Sequence, residues 1–317
     1  TSSVGNVAVG YLSLSAATTA DLNTAIGHRA LTTNILSDRN VALGYAALST
    51  HNLASNGDGY NVGIGYNAGG AITTGVQNTL IGGLAGDATD DGNYNVAIGH
   101  SALSANCADS NTAVGTVALQ IATGANCTAV GMAAGIANTS GANNLFLGHD
   151  AGRSGSPGGE ITTGSNEIVL GDENISEAHI QVDWTVASDA RDKTDFTVLD
   201  LGLDFVKALA PVTYKWDKRS KYGDKSADDY DLAAQTPDGT HKEDWLDIGF
   251  KAQEVEALEI AAGYDKDNKT NLVSSHTGDG KQMGLQYSKF VPILVKAIQE
   301  QNALIEALTT RITTLEG

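Results

Sequence analysis

A nine-residue string recurs through the first half of the chain and limits the folds that the sequence can adopt. One copy, NTAIGHRAL, begins at Asn23, and nine copies share a glycine at the fifth place. Their starts are 16 to 21 residues apart, which suits one coil of a solenoid and is too short for a helical-pair repeat. The copies start at Asn6, Asn23, Asn40, Asn61, Asn78, Asn95, Asn111, Cys127 and Asn144, and a degraded tenth starts at Glu167.

The columns of the repeat predict which positions are buried, because successive side chains of a strand point to opposite faces. The fourth place always holds a large aliphatic residue, as at Ile26, and we expect this column to fill the inside of each coil. The third and eighth places are mostly alanine, as at Ala25 and Ala30, and we expect them to form a surface that another chain approaches. The fifth-place glycine suits a corner with positive φ or close contact with the next coil.

Such a coil has little apolar area for each residue that it orders, so the sequence predicts oligomerisation. The unit N-[TV]-A-[IV]-G-x-x-A-[LG] resembles the head repeats of trimeric autotransporter adhesins. The resemblance covers residues 6–171 and implies a mainly β solenoid, a left-handed parallel β-roll shared by three chains. It implies nothing about a ligand.

Charge and glycine content both change near residue 187, which predicts two domains, 1–187 and 188–317. The first has no lysine, three arginines and 28 of the 37 glycines, and the second is rich in charged residues. The net charge of −18 argues against nucleic-acid binding, which needs clustered lysine and arginine. No apolar run approaches the roughly 20 residues of a membrane span, so membrane insertion is not expected.

The chain has two cysteines, Cys107 and Cys127, in different columns of adjacent coils. No Cys/His spacing indicates a metal site, and we expect two free, half-buried thiols. This is consistent with assembly in a reducing cytoplasm. Neither a metal nor another cofactor is predicted.

The segment directly after the last coil, Ser188 to Lys193, has the sequence S-D-A-R-D-K. It resembles the junction motif S-D-x-R-x-K of the C-terminal intramolecular chaperones of phage tailspikes, tail fibres and endosialidases. The likeness continues in IGFKAQEVEAL (248–258), in QMGLQYSKFVPILVKAIQEQ (282–301) and in a terminal heptad helix at about 287–316. It implies an α+β chaperone domain over 188–317 that ends in a trimeric coiled coil.

The resemblance also implies a serine autoprotease that cuts its own chain once. The cleaved bond would join Ala187 to Ser188, with Ser188 as the nucleophile and Lys193 as the base, a Ser-Lys variant of the serine-base arrangement. Lys193 must then be neutral, whereas a free lysine titrates near ~10.4, so the fold must remove it from water. Asp189 and Arg191 match the motif too, and we expect them to serve as a cap and an ion pair.

A spacing of five residues would place Ser188 and Lys193 about 140° apart on one helix, so they cannot meet there. We expect Ser188 at the end of an extended segment or at a helix N-cap, with Lys193 folding back. Backbone amides at the helix start would then provide an oxyanion site.

The end of the chain carries a heptad seam, which predicts a coiled coil. Its Ile and Leu pattern by itself favours dimers in parallel coils, so the trimer is implied by the two resemblances alone. The seam consists of Leu294, Ile298, Gln301, Ile305, Leu308, Ile312 and Leu315.

Three histidines, His28, His100 and His149, occupy the sixth place of their repeats, where other copies have tyrosine. Three chains could bring them together around a metal ion on a common axis. We favour an ordinary polar and aromatic surface column.

Together these features predict a trimeric phage tail fibre or receptor-binding protein of the virion, synthesised and assembled in the host cytoplasm. Its partners would be two further copies, other tail proteins, and a host surface receptor that is a glycan or an outer-surface protein. Two alternatives remain. One is a polysaccharide-degrading tailspike, whose catalytic carboxylate pair would lie upstream of Thr1. The other is a bacterial trimeric surface adhesin, which needs a C-terminal membrane barrel.

Overall fold

The computed structural model describes residues 3–225, 227, 229–265, 267 and 270–317. The chain divides into two compact units, Thr1–Ile175 and Ser176–Gly317. The bond expected to be cleaved, between Ala187 and Ser188, lies inside the second unit.

The first unit is a solenoid, and this confirms the mainly β prediction for the repeats. In each copy the second to fourth places form a short strand that pairs in parallel with the strand of the next copy, Ala25 opposite Ala42 for example. Ten such strands form one sheet, and the strands Ser37–Asp38 and Gly57–Asp58 form a separate parallel pair. The strands are β1 Val7–Val9, β2 Thr24–Ile26, β3 Ser37–Asp38, β4 Val41–Leu43, β5 Gly57–Asp58, β6 Val62–Ile64, β7 Thr79–Ile81, β8 Val96–Ile98, β9 Thr112–Val114, β10 Thr128–Val130, β11 Leu145–Leu147 and β12 Ile168–Leu170.

The predicted faces of the coil were wrong, because the structure has them reversed. The third-place residues are buried from Ala25 onward, and the eighth-place alanines from Ala30 onward are buried as well. The fourth-place aliphatic residues lie on the outside, with Val9 57% and Leu43 43% exposed. A coil of about 17 residues encloses a narrow space, and a methyl group fits where a larger side chain would not.

Side-chain sizes inside the solenoid compensate for one another from coil to coil. Where the ninth place holds glycine instead of leucine, a neighbouring third place holds a large residue. A Cβ added to Gly69 or Gly86 would collide with Leu80, and one added to Gly135 would collide with Phe146. The core therefore keeps a constant volume although single columns vary.

The first-place asparagines form a ladder inside the solenoid, which the sequence analysis did not predict. The Asn23 Oδ1 atom accepts a hydrogen bond of 2.8 Å from the Asn40 backbone N–H, and the same contact recurs in successive coils. Asn111 makes it with the backbone of Cys127 at 2.9 Å. These side chains satisfy backbone donors that the narrow interior hides from water.

The fifth-place glycines have both properties that the sequence predicts. Gly27 has a φ of 135°, and a Cβ at this position would collide with the carbonyl group of Gly44 in the next coil. Two residues that are not glycine also adopt the left-handed region in the same coil, Arg29 at 61° and Leu31 at 50°.

The second unit combines helices and short antiparallel strands, which confirms the α+β prediction. Its core contains Leu201, Phe205, Val255, Val273, Phe290 and Ile293. Strand Val212–Tyr214 pairs with Asp247–Gly249, and strand Ser274–His276 pairs with Met283–Leu285. The elements are α1 Leu203–Ala208, β13 Val212–Tyr214, β14 Asp247–Gly249, α2 Ala252–Ala261, β15 Ser274–His276, β16 Met283–Leu285 and α3 Phe290–Glu316, with 3-10 turns at Ala190–Asp192, Arg219–Lys221, Leu232–Ala234 and Tyr287–Lys289.

Both cysteines are free, as predicted, but Cys107 and Cys127 are fully buried instead of half-buried. Burial raises the pKa of the Cys107 thiol. Across the part of the chain that the structure describes, no helix has the length and apolar character of a bilayer span.

Candidate active site

The structure brings Ser188 and Lys193 into direct contact. The Lys193 Nζ atom lies 2.6 Å from Ser188 Oγ and 3.3 Å from the Ser188 carbonyl oxygen. Ser188 follows an extended segment, and Lys193 is the residue at which the next turn ends. The side chain that the resemblance names as nucleophile and the one that it names as base therefore form a hydrogen-bonded pair.

A single 3-10 turn, Ala190–Asp192, produces this contact by folding the chain back on itself. Asp189 is its N-cap and accepts a 2.9 Å hydrogen bond from the Arg191 backbone N–H. The Arg191 Nη2 atom lies 2.6 Å from Asp189 Oδ2. This neighbour lowers the pKa of the Asp189 carboxyl group. Asp189 and Arg191 therefore stabilise the turn that places Lys193 beside Ser188.

The turn has only three residues, and this differs from the helix start that we expected to supply an oxyanion site. Its short length leaves few backbone N–H groups free to point at a developing negative charge. A catalytic site here needs other donors for that charge.

The pair is open to solvent. Every residue from 174 to 198 is exposed, so neither Ser188 nor Lys193 is shielded from water. Desolvation or a neighbouring cation is what disfavours the charged form of an amine. The described part of this chain thus aligns the two groups but does not bury them.

The beginning and the end of helix α3 differ in burial. Its first turns pack Phe290, Ile293 and Ala297 into the core of the second unit. From residue 301 to residue 317 every residue is exposed. The predicted seam lies on the exposed face, with Leu294 44% and Ile305 52% accessible.

The three histidines of the sixth place are not brought together within one chain. The His28 ring stacks between those of Tyr11 and Tyr45, at centroid distances of 5.3 and 5.1 Å. His149 lies 3.7 Å from Asp172. Among the described residues, no group of three or more His, Cys, Asp or Glu side chains is placed to hold a metal ion.

Two features of the second unit were not predicted from the sequence. Glu259 is fully buried, and its carboxylate accepts hydrogen bonds from the backbone N–H groups of Leu272, Val273 and Ser274. It anchors the segment before β15 to α2. The other feature is an aromatic groove of about 500 Å³, whose lining includes Tyr214, Trp216, Phe250 and Tyr287. Neither has a local sequence signal, because each joins residues far apart in the chain.

Comparison with protein families supports the predicted resemblance of the second unit to phage chaperone domains. The family described as chaperone of endosialidase matches residues 188–264, which is less than half of the chain. No curated protein and no solved structure gave a significant match. The matched region begins at Ser188, the residue in contact with Lys193.

The family match and the solenoid together fit a phage tail fibre with a C-terminal chaperone domain. The match suggests an intramolecular chaperone of a phage tail protein, and the family implies a domain of the serine autopeptidase type. It also implies assembly as a homotrimer and suggests a place in the virion.

Proposed function

We propose that this protein is a trimeric phage tail fibre or receptor-binding protein that attaches the virion to its host. Its second domain, residues 188–317, guides trimer assembly and then separates itself by cutting between Ala187 and Ser188. The observation that carries the proposal is the 2.6 Å contact between Lys193 Nζ and Ser188 Oγ at the first residue of the family match.

The cleavage follows from the position of the nucleophile. Neutral Lys193 takes the hydroxyl proton while Ser188 Oγ bonds to the carbonyl carbon of Ala187. The bond from that carbon to the Ser188 nitrogen then breaks, and the nitrogen receives the proton from Lys193. Water hydrolyses the resulting ester to a carboxylate at Ala187 and restores the serine hydroxyl. Because the nucleophile belongs to the chain that it cuts, each chain reacts once.

Assembly supplies the missing burial in this proposal. Lys193 is exposed in one chain, and neighbouring copies would exclude water from it, which disfavours a charged amine. Cleavage would then occur only after the copies associate. Loss of the chaperone would leave the product protected by its unfolding barrier.

Exposed apolar surfaces in both domains support the trimer. The α3 seam offers one contact, and the fourth-place aliphatic column of the solenoid offers another, with Ile26 36% and Ile98 38% exposed. The alanine columns, which we expected to form this contact, are inside the coils. The interface that we propose for the solenoid is therefore the aliphatic face.

The test is the substitution Ser188→Ala, followed by a denaturing gel of the purified protein. We expect wild type to give fragments 1–187 and 188–317 and the variant to stay whole. Lys193→Ala should block cleavage as well, because no base remains. Thr194→Ala, a neighbouring exposed hydroxyl, is the matched control and should be cut normally. A Ser188→Ala chain that still splits at this position excludes the proposed nucleophile.

A further inference from the structure

The segment that leads to the Ala187–Ser188 bond has a regular apolar face that nothing in the described chain covers. Apolar and polar residues alternate along it. Every second side chain is large, apolar and more than half exposed: Ile180 53%, Val182 73%, Trp184 74% and Val186 78%. A period of two is typical of a strand with one buried face.

The backbone of this segment is also unpaired. Residues 181 and 182 form a bend, residues 183–189 belong to no helix or strand, and residues 180–187 form no backbone hydrogen bond with any other described residue. An extended segment with free N–H and C=O groups is a template for another strand. The alternation and the free backbone therefore both indicate a strand that pairs outside its own chain.

The exposed area is large enough for a specific contact. Beyond the bond and after the 3-10 turn, Phe196 and Val198 are also 72% and 84% exposed. The four apolar side chains of residues 180–186 expose on the order of 500 Å² per chain, and the exposed α3 seam of the same unit is further apolar surface that copies can bury. Single exposed apolar residues are ordinary, but a continuous row of this size marks an interaction site.

We propose that residues 180–186 of the copies pair with one another around a common axis and bury their apolar face there. The occupant is a second copy because a cyclic oligomer brings the same segment of each chain to the same axis. The exposed α3 seam in the same unit indicates that copies associate. The consequence of this pairing rests on the proposed function: paired strands would exclude water from Ser188 and Lys193.

The consequence concerns the two residues after the strand. Val186 lies two positions before Ser188, so a strand packed as far as residue 186 holds the Ala187 carbonyl group in a fixed place. The same packing excludes water around Ser188 and Lys193, which one chain leaves exposed. The strand therefore acts as the element that couples assembly to cleavage.

A cross-linking experiment tests the contact without relying on cleavage. Val186→Cys is made in the uncut Ser188→Ala full-length chain, oxidised, and analysed on a non-reducing gel. We expect at least tenfold more cross-linked chain than with Thr185→Cys, the matched control on the polar face. The native cysteines are buried and do not compete. Equal cross-linking at both positions, or none at residue 186, overturns the proposal.

A second experiment tests the coupling. The variant Val182→Ser with Trp184→Ser is compared with Gln181→Ser with Thr185→Ser, which alters the opposite face. Cleaved fraction is followed with time in material of trimer mass. We expect at least tenfold slower cleavage of the apolar-face variant and a normal rate for the control, and equal rates overturn the coupling. A Val186→Cys chain with Ser188 intact that cross-links through residue 186 but is never cut supports the strand contact and refutes the proposed cleavage.

Discussion

The two units of this protein bury their apolar residues by different rules. Each solenoid coil repeats the contacts of the coil before it, with alanine at the centre and partners about 17 residues away. The second unit collects its core from distant positions, such as Leu201 and Phe290. A repeating core is simple to extend, whereas a core of unique contacts specifies one arrangement.

This difference explains why the solenoid would depend on the second unit. If three solenoids slip by one coil, each column still meets an equivalent column, so the register between chains is poorly specified. Parallel pairing over long sequence distances is also slow. The unique contacts of the second unit, and its exposed seam on α3, can set the register that the repeats leave open.

The largest expected effect tests whether the second unit directs assembly. We expect Ile305→Asp, which places a charge in the exposed seam, to abolish the trimer and with it the cleavage, because a buried unpaired charge is costly. Asn302→Asp adds the same charge to the same helix outside the seam and should leave both unchanged. Light scattering gives the mass, and a denaturing gel gives the cleaved fraction. An Ile305→Asp trimer would show that the seam is not the contact.

A smaller effect separates the inside of the solenoid from its outside within one strand. Phe146→Ala should lower the free energy of unfolding by about 3–5 kcal/mol, because Phe146 is fully buried and the change leaves a cavity. Leu147→Ala, one residue along and 36% exposed, should cost much less within a chain kept monomeric by Ile305→Asp. Denaturant unfolding of both variants in that background gives the comparison. Equal losses of unfolding free energy would contradict the structure and support the prediction that the fourth-place residues lie inside the coil.

The smallest effect is a pH dependence of the solenoid. His51 is fully buried beside Ser37, and burial lowers its pKa from 6.5 to about 4. Below pH 6.5 this histidine is protonated in the unfolded chain but stays neutral in the folded chain. The free energy of unfolding therefore falls as pH decreases toward 4. We expect a loss of about 1.5 kcal/mol from this residue between pH 6.5 and pH 5.

The control for this pH dependence is His51→Gln, which keeps a polar side chain but cannot titrate. The variant should be less stable at pH 7 and should lack most of the fall between pH 6.5 and pH 5. Denaturant unfolding at several pH values measures both. If the variant and the wild type lose stability in parallel, another group is responsible.

The repeat shows how far a pattern predicts a fold. The period and the columns correctly predicted the solenoid and the glycine corner, because period and side-chain alternation are local properties, whereas the parallel strands were implied by the resemblance to adhesin heads. They did not predict which face is inside. Alternation separates Ala25 and Ile26 onto opposite faces, but the width of the closed coil decides which of them is buried.

The candidate site shows the same limit. The resemblance named Ser188 and Lys193, and their spacing excluded a shared helix. The 3-10 turn that joins them depends on the Asp189 cap and its pair with Arg191. Their roles in cleavage stay a prediction that the Ser188→Ala experiment tests.

The sequence by itself determined the period of the solenoid, the change of composition near residue 187 and the heptad spacing of the last helix, since each is a pattern among near neighbours. Only the tertiary structure decided which columns are inside, that Glu259 is buried, and that residues 174–198 lie exposed. Burial depends on the space left by all surrounding chain segments, and that space exists only after the coils and helices have packed.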